Sequence, residues 1–307
     1  MLQINGLSEG LEIFRTLGSE VRMNIVELLA RNEKMNMNEI ASSLGLTNGA
    51  LTTHIKMLEE RGLILCSTEH SGRGLQKMCS LNVDQILLNV FPTVEERSTK
   101  VYETEIRVGH YSDYKVTAGC GLIGPERMIG NKDDPRAFAY PERVEAEMLW
   151  LHDGYVEFRI PNLLPEEQRI VQLTLSFEIS SADHGGDNDR LSRIQFSLNG
   201  REMGEWVSVR ASDSSRGIYT PSWWNGSERQ HGFLKMLVIN DMGVFLDGKC
   251  ILETDNSGKY LDSFGEMKFR IESHPEEGLE GGIALYGKGF GNYRQNILAR
   301  VHYMPEA

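Results

Sequence analysis

Gly49, Thr52, Thr53 and Lys56 place two hydroxyls and an ammonium beside a residue without a side chain, all within eight positions. If Leu51, Ile55 and Leu58 face inward, the 100° helical step puts Gly49, Thr53, Lys56 and Glu60 on the opposite face, with Thr52 at its edge. Hydroxyls bond phosphates or base edges, a lysine supplies a cation, and Gly49 with Ala50 allows close approach. Arg73 stands between Gly72 and Gly74, a setting suited to a phosphate or minor-groove contact. The chemistry indicated is binding of duplex nucleic acid. Each residue alone also reads as a solvated position on a helix or turn; the combination of helix, turn, helix and Arg-tipped hairpin is more specific.

A second concentration lies at Tyr219 to His231, where Trp223, Trp224, Asn225, Arg229 and His231 gather in a stretch that otherwise reads as loop. Aromatic faces stack on the apolar face of a pyranose, while Arg, Asn and His bond hydroxyls, so the mixture suits a carbohydrate. The competing reading makes one tryptophan a plug of the core. Trp150 with His152, and Trp206, are further candidates to line such a cavity. Asp183 to Asp189 is rich in oxygen ligands but lacks EF-hand spacing, and reads as a polar turn. The carboxylate pairs Glu145 with Glu147 and Glu166 with Glu167 match no recognised glycosidase spacing. Cys66, Cys79, Cys120 and Cys250 form no CxxC. Cys66 and Cys79 fall on adjacent strands, where packing as small hydrophobes is favoured over a redox switch. No catalytic residue, metal site or cofactor is expected.

The elements that position these groups follow from periodicity. Ser19 is placed to cap a helix carrying Val21, Ile25, Leu28 and Leu29. Asn36 with Glu39 makes a capping-box start to a short helix ending at Gly45, and Thr47 caps the helix that ends at Gly62. Leu63 to Thr68 and Leu75 to Leu81 predict the two strands of a wing, and Asp84 to Val90 a last helical segment. Beyond Val101 the chain alternates with period two: Val156, Phe158, Ile160; Leu173, Leu175, Phe177, Ile179; Ile194, Phe196, Leu198; Met267, Phe269, Ile271; Ile297, Ala299, Val301. Leu234 to Ile239, Val244 to Leu246 and Cys250 to Leu252 form consecutive hairpins about tight turns. The expected organisation is a winged helix-turn-helix domain over 1–91, a linker over 92–100 and an all-β antiparallel sandwich over 101–307.

The runs TLGSEVRMNIVELLA, EIASSLGL and TNGALTTHIKMLEERGLI, followed by the hairpin, resemble the winged-helix domain of the ArsR family of bacterial repressors over Leu11 to Leu81. The resemblance implies operator binding through Thr47, Asn48, Thr52, Thr53, His54 and Lys56 in the helix and Arg73 in the wing, in a homodimer that pairs through helices flanking the motif, here Leu7 to Leu17 and Asp84 to Val90. Metal-sensing members carry cysteines in the helix before the recognition helix; MNMNEIASSLGL has none, which counts against metal sensing. The run LVINDMGVFLDGKCIL and the strands after it resemble the closing strands of concanavalin A-like lectin and jelly-roll domains.

Length and charge set the frame. At 307 residues, with 40% hydrophobic and 25% charged residues, two globular domains are expected. No run reaches the roughly 18 apolar residues of a membrane span, and Met1 to Gly10 lacks a signal pattern, so a cytoplasmic protein is expected. The formal net charge is −12, but residues 1–90 hold eight Lys and Arg against ten Asp and Glu, so most of the acidity lies in the later part. DNA binding must therefore be local and geometric. The expected function is a transcriptional regulator with double-stranded operator DNA and a small sugar-like effector as partners. The alternatives are a carbohydrate-active enzyme domain on a DNA-binding anchor, and a sandwich that serves only protein interaction or oligomerisation.

Overall fold

The capping signals around Asn36 organise the first part of the chain. Asn36 Oδ1 accepts the backbone N–H groups of Asn38 and Glu39 at 2.9 and 3.0 Å, and Glu39 Oε2 accepts the Asn36 N–H at 2.8 Å. This reciprocal pair satisfies donors that a helix start otherwise leaves open. Gly45 closes the helix at φ 65°, a left-handed position open to glycine, and Thr47 Oγ1 accepts the Ala50 N–H at 3.3 Å to start the next. Ser19 takes the extended N-cap backbone expected of it, but its side chain makes no capping bond.

In this computed structural model, residues 2–32, 34–71, 74–83, 86–89, 99–165, 168–182, 191–208, 216–224, 230–253, 261, 265–277, 279 and 281–304 are described. They fall into two units, Met1–Ser98 and Thr99–Ala307. The first runs β1 (Leu2–Asn5), α1 (Leu7–Leu17), α2 (Glu20–Ala30), β2 (Met35–Asn36), α3 (Met37–Leu44), α4 (Asn48–Glu60), β3 (Ile64–Ser71), β4 (Gly74–Leu81) and β5 (Ile86–Asn89). Its core joins Ile25 and Leu29 of α2, Ile40 and Ala41 of α3, and Leu51, Ile55 and Leu58 of α4 to Leu63, Ile64 and Cys79. Each large apolar side chain buried there stabilises the fold by about 1.5–3 kcal/mol. The antiparallel wing pairs β3 with β4 from Ile64↔Leu81 to Ser71↔Gly74, and β2 adds to β4.

One expected element is of another type. Ile86–Asn89, predicted as helix, is a strand paired in parallel with β1, from Leu2↔Ile86 to Asn5↔Asn89. Its apolar run is too short to hold a helix by itself, and the β1 edge supplies the backbone partners. Residues 92–98 of the expected linker lie outside the described residues, and Lys100 already opens a strand.

The second unit contains β6 (Lys100–Ile106), β7 (Asp113–Val116), β8 (Gly121–Ile123), β9 (Met128–Ile129), β10 (Met148–Leu151), β11 (Gly154–Pro161), β12 (Ile170–Ser180), β13 (Ser192–Leu198), β14 (Arg201–Ser208), β15 (Phe233–Asn240), β16 (Gly243–Leu246), β17 (Lys249–Glu253), β18 (Glu266–Ser273), β19 (Ile283–Tyr286) and β20 (Ile297–Tyr303). Two 3-10 helices, Pro135–Ala139 and Pro141–Glu145, lie between β9 and β10. One antiparallel sheet runs β17-β16-β15-β12-β19-β10-β8-β9, with β20 joining β12 to β6; the other runs β14-β13-β18-β11-β7. Their inner faces share a core of alternate residues, among them Phe177, Phe196 and Phe269 with ring centroids 5.7–6.2 Å apart. The tight turn between β16 and β17 falls at Asp247 and Gly248, both at positive φ, as a type I′ hairpin requires.

The alternate residues of β12 point the other way. Thr174, Ser176, Glu178 and Ser180 are buried, although none is apolar. They lie under segments that fold back over the sheet, together with a second apolar cluster of Ile123, Met148, Trp150, Trp224, Tyr286 and Phe290.

Candidate functional site

α4 carries the candidate nucleic-acid interface. Leu51, Ile55 and Leu58 are buried, while Thr47, Asn48, Gly49, Ala50, Thr52, Thr53 and Lys56 are exposed and His54 is intermediate. The exposed residues form a continuous strip along the first half of the helix. A Cβ on Gly49 would meet nothing within 4 Å, so a ligand can approach its backbone. Thr52 Oγ1 donates to the Asn48 carbonyl at 2.7 Å, which leaves its lone pairs outward. The first turn of α4 holds no acidic residue. Beyond Lys56 the surface changes sign: Glu60 lies 3.7 Å from the Lys56 ammonium, and Glu59 binds Lys77 of β4 at 2.8 Å.

Sequence reasoning missed Asn38. It is exposed on α3, and its Oδ1 accepts from Asn48 Nδ2 at 2.8 Å, so it fixes the amide at the start of α4. Nothing local announces this contact, because the two residues are ten positions apart. Arg73 lies outside the described residues. Cys66 and Cys79 face each other across the wing with sulfurs 3.4 Å apart. Burial, more than their mutual hydrogen bond, raises the Cys79 thiol to about 12, and burial also raises Cys66.

The two tryptophans of the second unit have different surroundings. Trp224 is 6% exposed and packs against Trp150, 6.3 Å between centroids, and against Phe290. Trp223 is 37% exposed, and its indole N–H donates to the Pro125 carbonyl at 2.8 Å. Their segment is fastened by Arg216, whose guanidinium donates to the carbonyls of Thr220, Pro221 and Trp224. Thr220 Oγ1 donates to the Gln230 carbonyl at 2.7 Å. His231 is buried, and Asn225 and Arg229 lie outside the described residues, as do Asp183 to Asp189, Glu166 and Glu167. Trp150 is a fully buried core residue. Among the five residues expected to form a ligand site, Trp223 alone is described and accessible.

A cavity of about 650 Å³ lies between the Gly124–Arg127 turn and the segment of Tyr140 and the second 3-10 helix, lined in part by Pro125, Glu126, Arg127, Tyr140, Glu142 and Glu145; Trp223 is outside this lining and reaches it through its bond to Pro125. The turn is closed by the Gly124 N–H on the Arg127 carbonyl at 2.8 Å. Arg143 pins the opposite wall: its guanidinium donates to the Gly109 and Tyr111 carbonyls at 2.7 and 2.8 Å and lies over the Tyr111 ring, 4.3 Å from its centroid. Tyr111 in turn donates to the Phe138 carbonyl at 2.7 Å.

Residues 19–64 match the family model described as winged helix-turn-helix DNA-binding. The match runs from the N-cap of α2 to the start of β3 and takes in the whole of α4, so the first unit carries a winged helix-turn-helix DNA-binding domain. Among solved structures, reduced HlyU from Vibrio cholerae is 22% identical over 25% of this chain and 76% of that one, with TM-score 0.23. A transcriptional regulator homologue from Pyrococcus horikoshii is 30% identical over 23% of this chain and 68% of its own, with TM-score 0.21. A cycloisomaltooligosaccharide glucanotransferase from Paenibacillus sp., complexed with cycloisomaltoheptaose, is 10% identical over 69% of this chain and 20% of that one, with TM-score 0.25. No curated protein matches the chain. Among the described residues, no helix is long and apolar enough to cross a membrane.

Proposed function

We propose that this chain is a one-component transcriptional regulator, in which α4 and the wing hold operator DNA and the β-sandwich takes a small polyhydroxylated ligand that shifts the DNA-competent population. The carrying observation is the exposed strip from Thr47 to Lys56 on a helix whose other face is locked into the core of a winged helix-turn-helix. With no acidic residue in its first turn, α4 offers backbone N–H groups and the positive end of its dipole to a phosphate. Asn48, Thr52, Thr53 and His54 then reach base edges or phosphates, with Lys56 and Arg73 as cations. The effector half rests on Trp223, with Asn225 and Arg229 of the same segment as further contacts and with Trp224 and His231 as its buried support. The resemblance to ArsR repressors favours a homodimer, and the Cys-free α3 favours an effector other than a thiolate-bound metal.

A mobility-shift titration at fixed salt, on an operator selected from random duplexes, tests the DNA reading. Lys56→Glu combined with Arg73→Glu is expected to weaken binding at least tenfold across sequences, whereas Thr53→Ala is expected to act mainly on base preference. Equal operator affinity for wild type and the double variant rejects the reading.

A further inference from the structure

The cavity at the Gly124–Arg127 turn has a defined chemical character. Its volume lies within the roughly 300–1,000 Å³ of small-molecule sites, and both walls are held before any ligand arrives. One wall is the hydrogen-bonded Gly124–Arg127 turn, tied through Pro125 to the Trp223 indole. The other is Tyr140 with the second 3-10 helix, which is begun by a proline that fixes its backbone and is anchored by Arg143. Tyr140 lines the cavity and is exposed, so it offers a ring to a ligand, whereas Trp223 lies outside the lining and supports it through Pro125. Glu126, Glu142 and Glu145 stand against one guanidinium, that of Arg127.

From this lining we infer that the cavity is a binding site for an uncharged saccharide. Carboxylates accept hydrogen bonds, and a sugar is a dense array of hydroxyl donors with an apolar ring face for the Tyr140 phenol. Three carboxylates against one guanidinium disfavour phosphorylated sugars and uronates, because like charges placed opposite each other are repelled. The inference rests on the reading of the sandwich as an effector domain, and it adds the place of the site and the charge of the ligand.

Calorimetric titration of the full chain with maltotriose, cellotriose, xylotriose, glucose 6-phosphate and galacturonate tests it. At least one neutral trisaccharide is expected to bind, and both charged sugars are expected to bind at least tenfold more weakly. Tyr140→Ala and the Glu142→Gln, Glu145→Gln double variant are expected to lower affinity for that trisaccharide at least tenfold with an unchanged melting temperature. Tyr140→Phe, which keeps a ring, is expected to retain part of the affinity. Unaltered binding in those variants, tighter binding of glucose 6-phosphate or galacturonate, or no binding of any neutral trisaccharide overturns the inference. Mobility shifts separate it from the effector reading. A sugar that changes operator affinity equally in wild type and Tyr140→Ala refutes the cavity and spares the effector. A sugar lost with Tyr140 that leaves operator affinity unmoved supports the cavity and refutes the effector.

Discussion

Adjacent residues of one type do opposite work at Trp223 and Trp224. Trp224 fills space between Trp150 and Phe290, so Trp224→Ala is expected to cost about 3–5 kcal/mol of stability in urea unfolding. Trp223→Ala is expected to change stability by roughly 0.5 kcal/mol or less beyond the loss of its bond to Pro125. Equal destabilisation by the two would remove the distinction on which the effector site depends. The wing cysteines give a second residue-level expectation. Burial raises both thiols, Cys79 to about 12, so their reactive thiolates are scarce near neutrality. Iodoacetamide at pH 8 should label the exposed Cys250 first and Cys79 far more slowly, as read by mass spectrometry. Because the folded values lie above those of the unfolded chain, the linked stability is full below about pH 9 and declines as pH rises toward 12. Rapid labelling of Cys79 in the folded chain would contradict this environment.

Glu178 shows how a strand controls segments far from it in sequence. It is fully buried on the outer side of β12, where its carboxylate accepts the backbone N–H groups of Gly232, Asn292 and Tyr293 at 2.7–3.0 Å. Gly291 stands against it at φ 81°, and a Cβ there would come within 2.4 Å of the carboxylate. Glu178→Gln replaces one acceptor oxygen by a donor, so at least one buried N–H loses its partner. The expected cost is about 1–3 kcal/mol in urea unfolding, and Gly291→Ala should be comparably harmful. Retained stability in both variants would show that the segments are held by other contacts. None of this is legible in the sequence, since the three donors lie more than fifty positions away and an isolated Glu in a strand reads as an exposed polar residue. The capping box at Asn36, the left-handed Gly45, the buried stripe of α4 and the alternating strands were all legible, because each depends on neighbours within about four positions. Ile86–Asn89 misled for the opposite reason: its partner β1 begins at Leu2, and a short apolar run has no periodicity to separate strand from helix.

At the scale of the molecule, one winged helix covers only half of a two-fold operator, so the proposed homodimer requires two copies with their α4 helices about one DNA turn apart. α1 offers a surface for that meeting. Leu7, Leu11 and Phe14 recur at helical spacing and are 53%, 45% and 41% exposed, an apolar stripe left outside the core that takes in Ile13 and Leu17 of the same helix. Two of its polar side chains are engaged within the unit: Glu12 binds both Arg15 and Arg61, and Thr16 lies in the interior. Burying such a stripe against its symmetry mate removes apolar surface from water without stranding a charge, whereas the acidic body, at net −12, disfavours close approach elsewhere. Leu11→Glu with Phe14→Ser is therefore expected to convert a dimer at micromolar concentration into a monomer with an unchanged circular dichroism spectrum. Operator affinity should fall by far more than one lost contact explains, since each half-site is then bound independently and the effective concentration of the second is lost. Sedimentation velocity with and without operator measures both quantities. A double variant that dimerises as before would place the symmetric contact elsewhere than on α1, and a wild-type chain that stays monomeric in both conditions would refute the dimer itself.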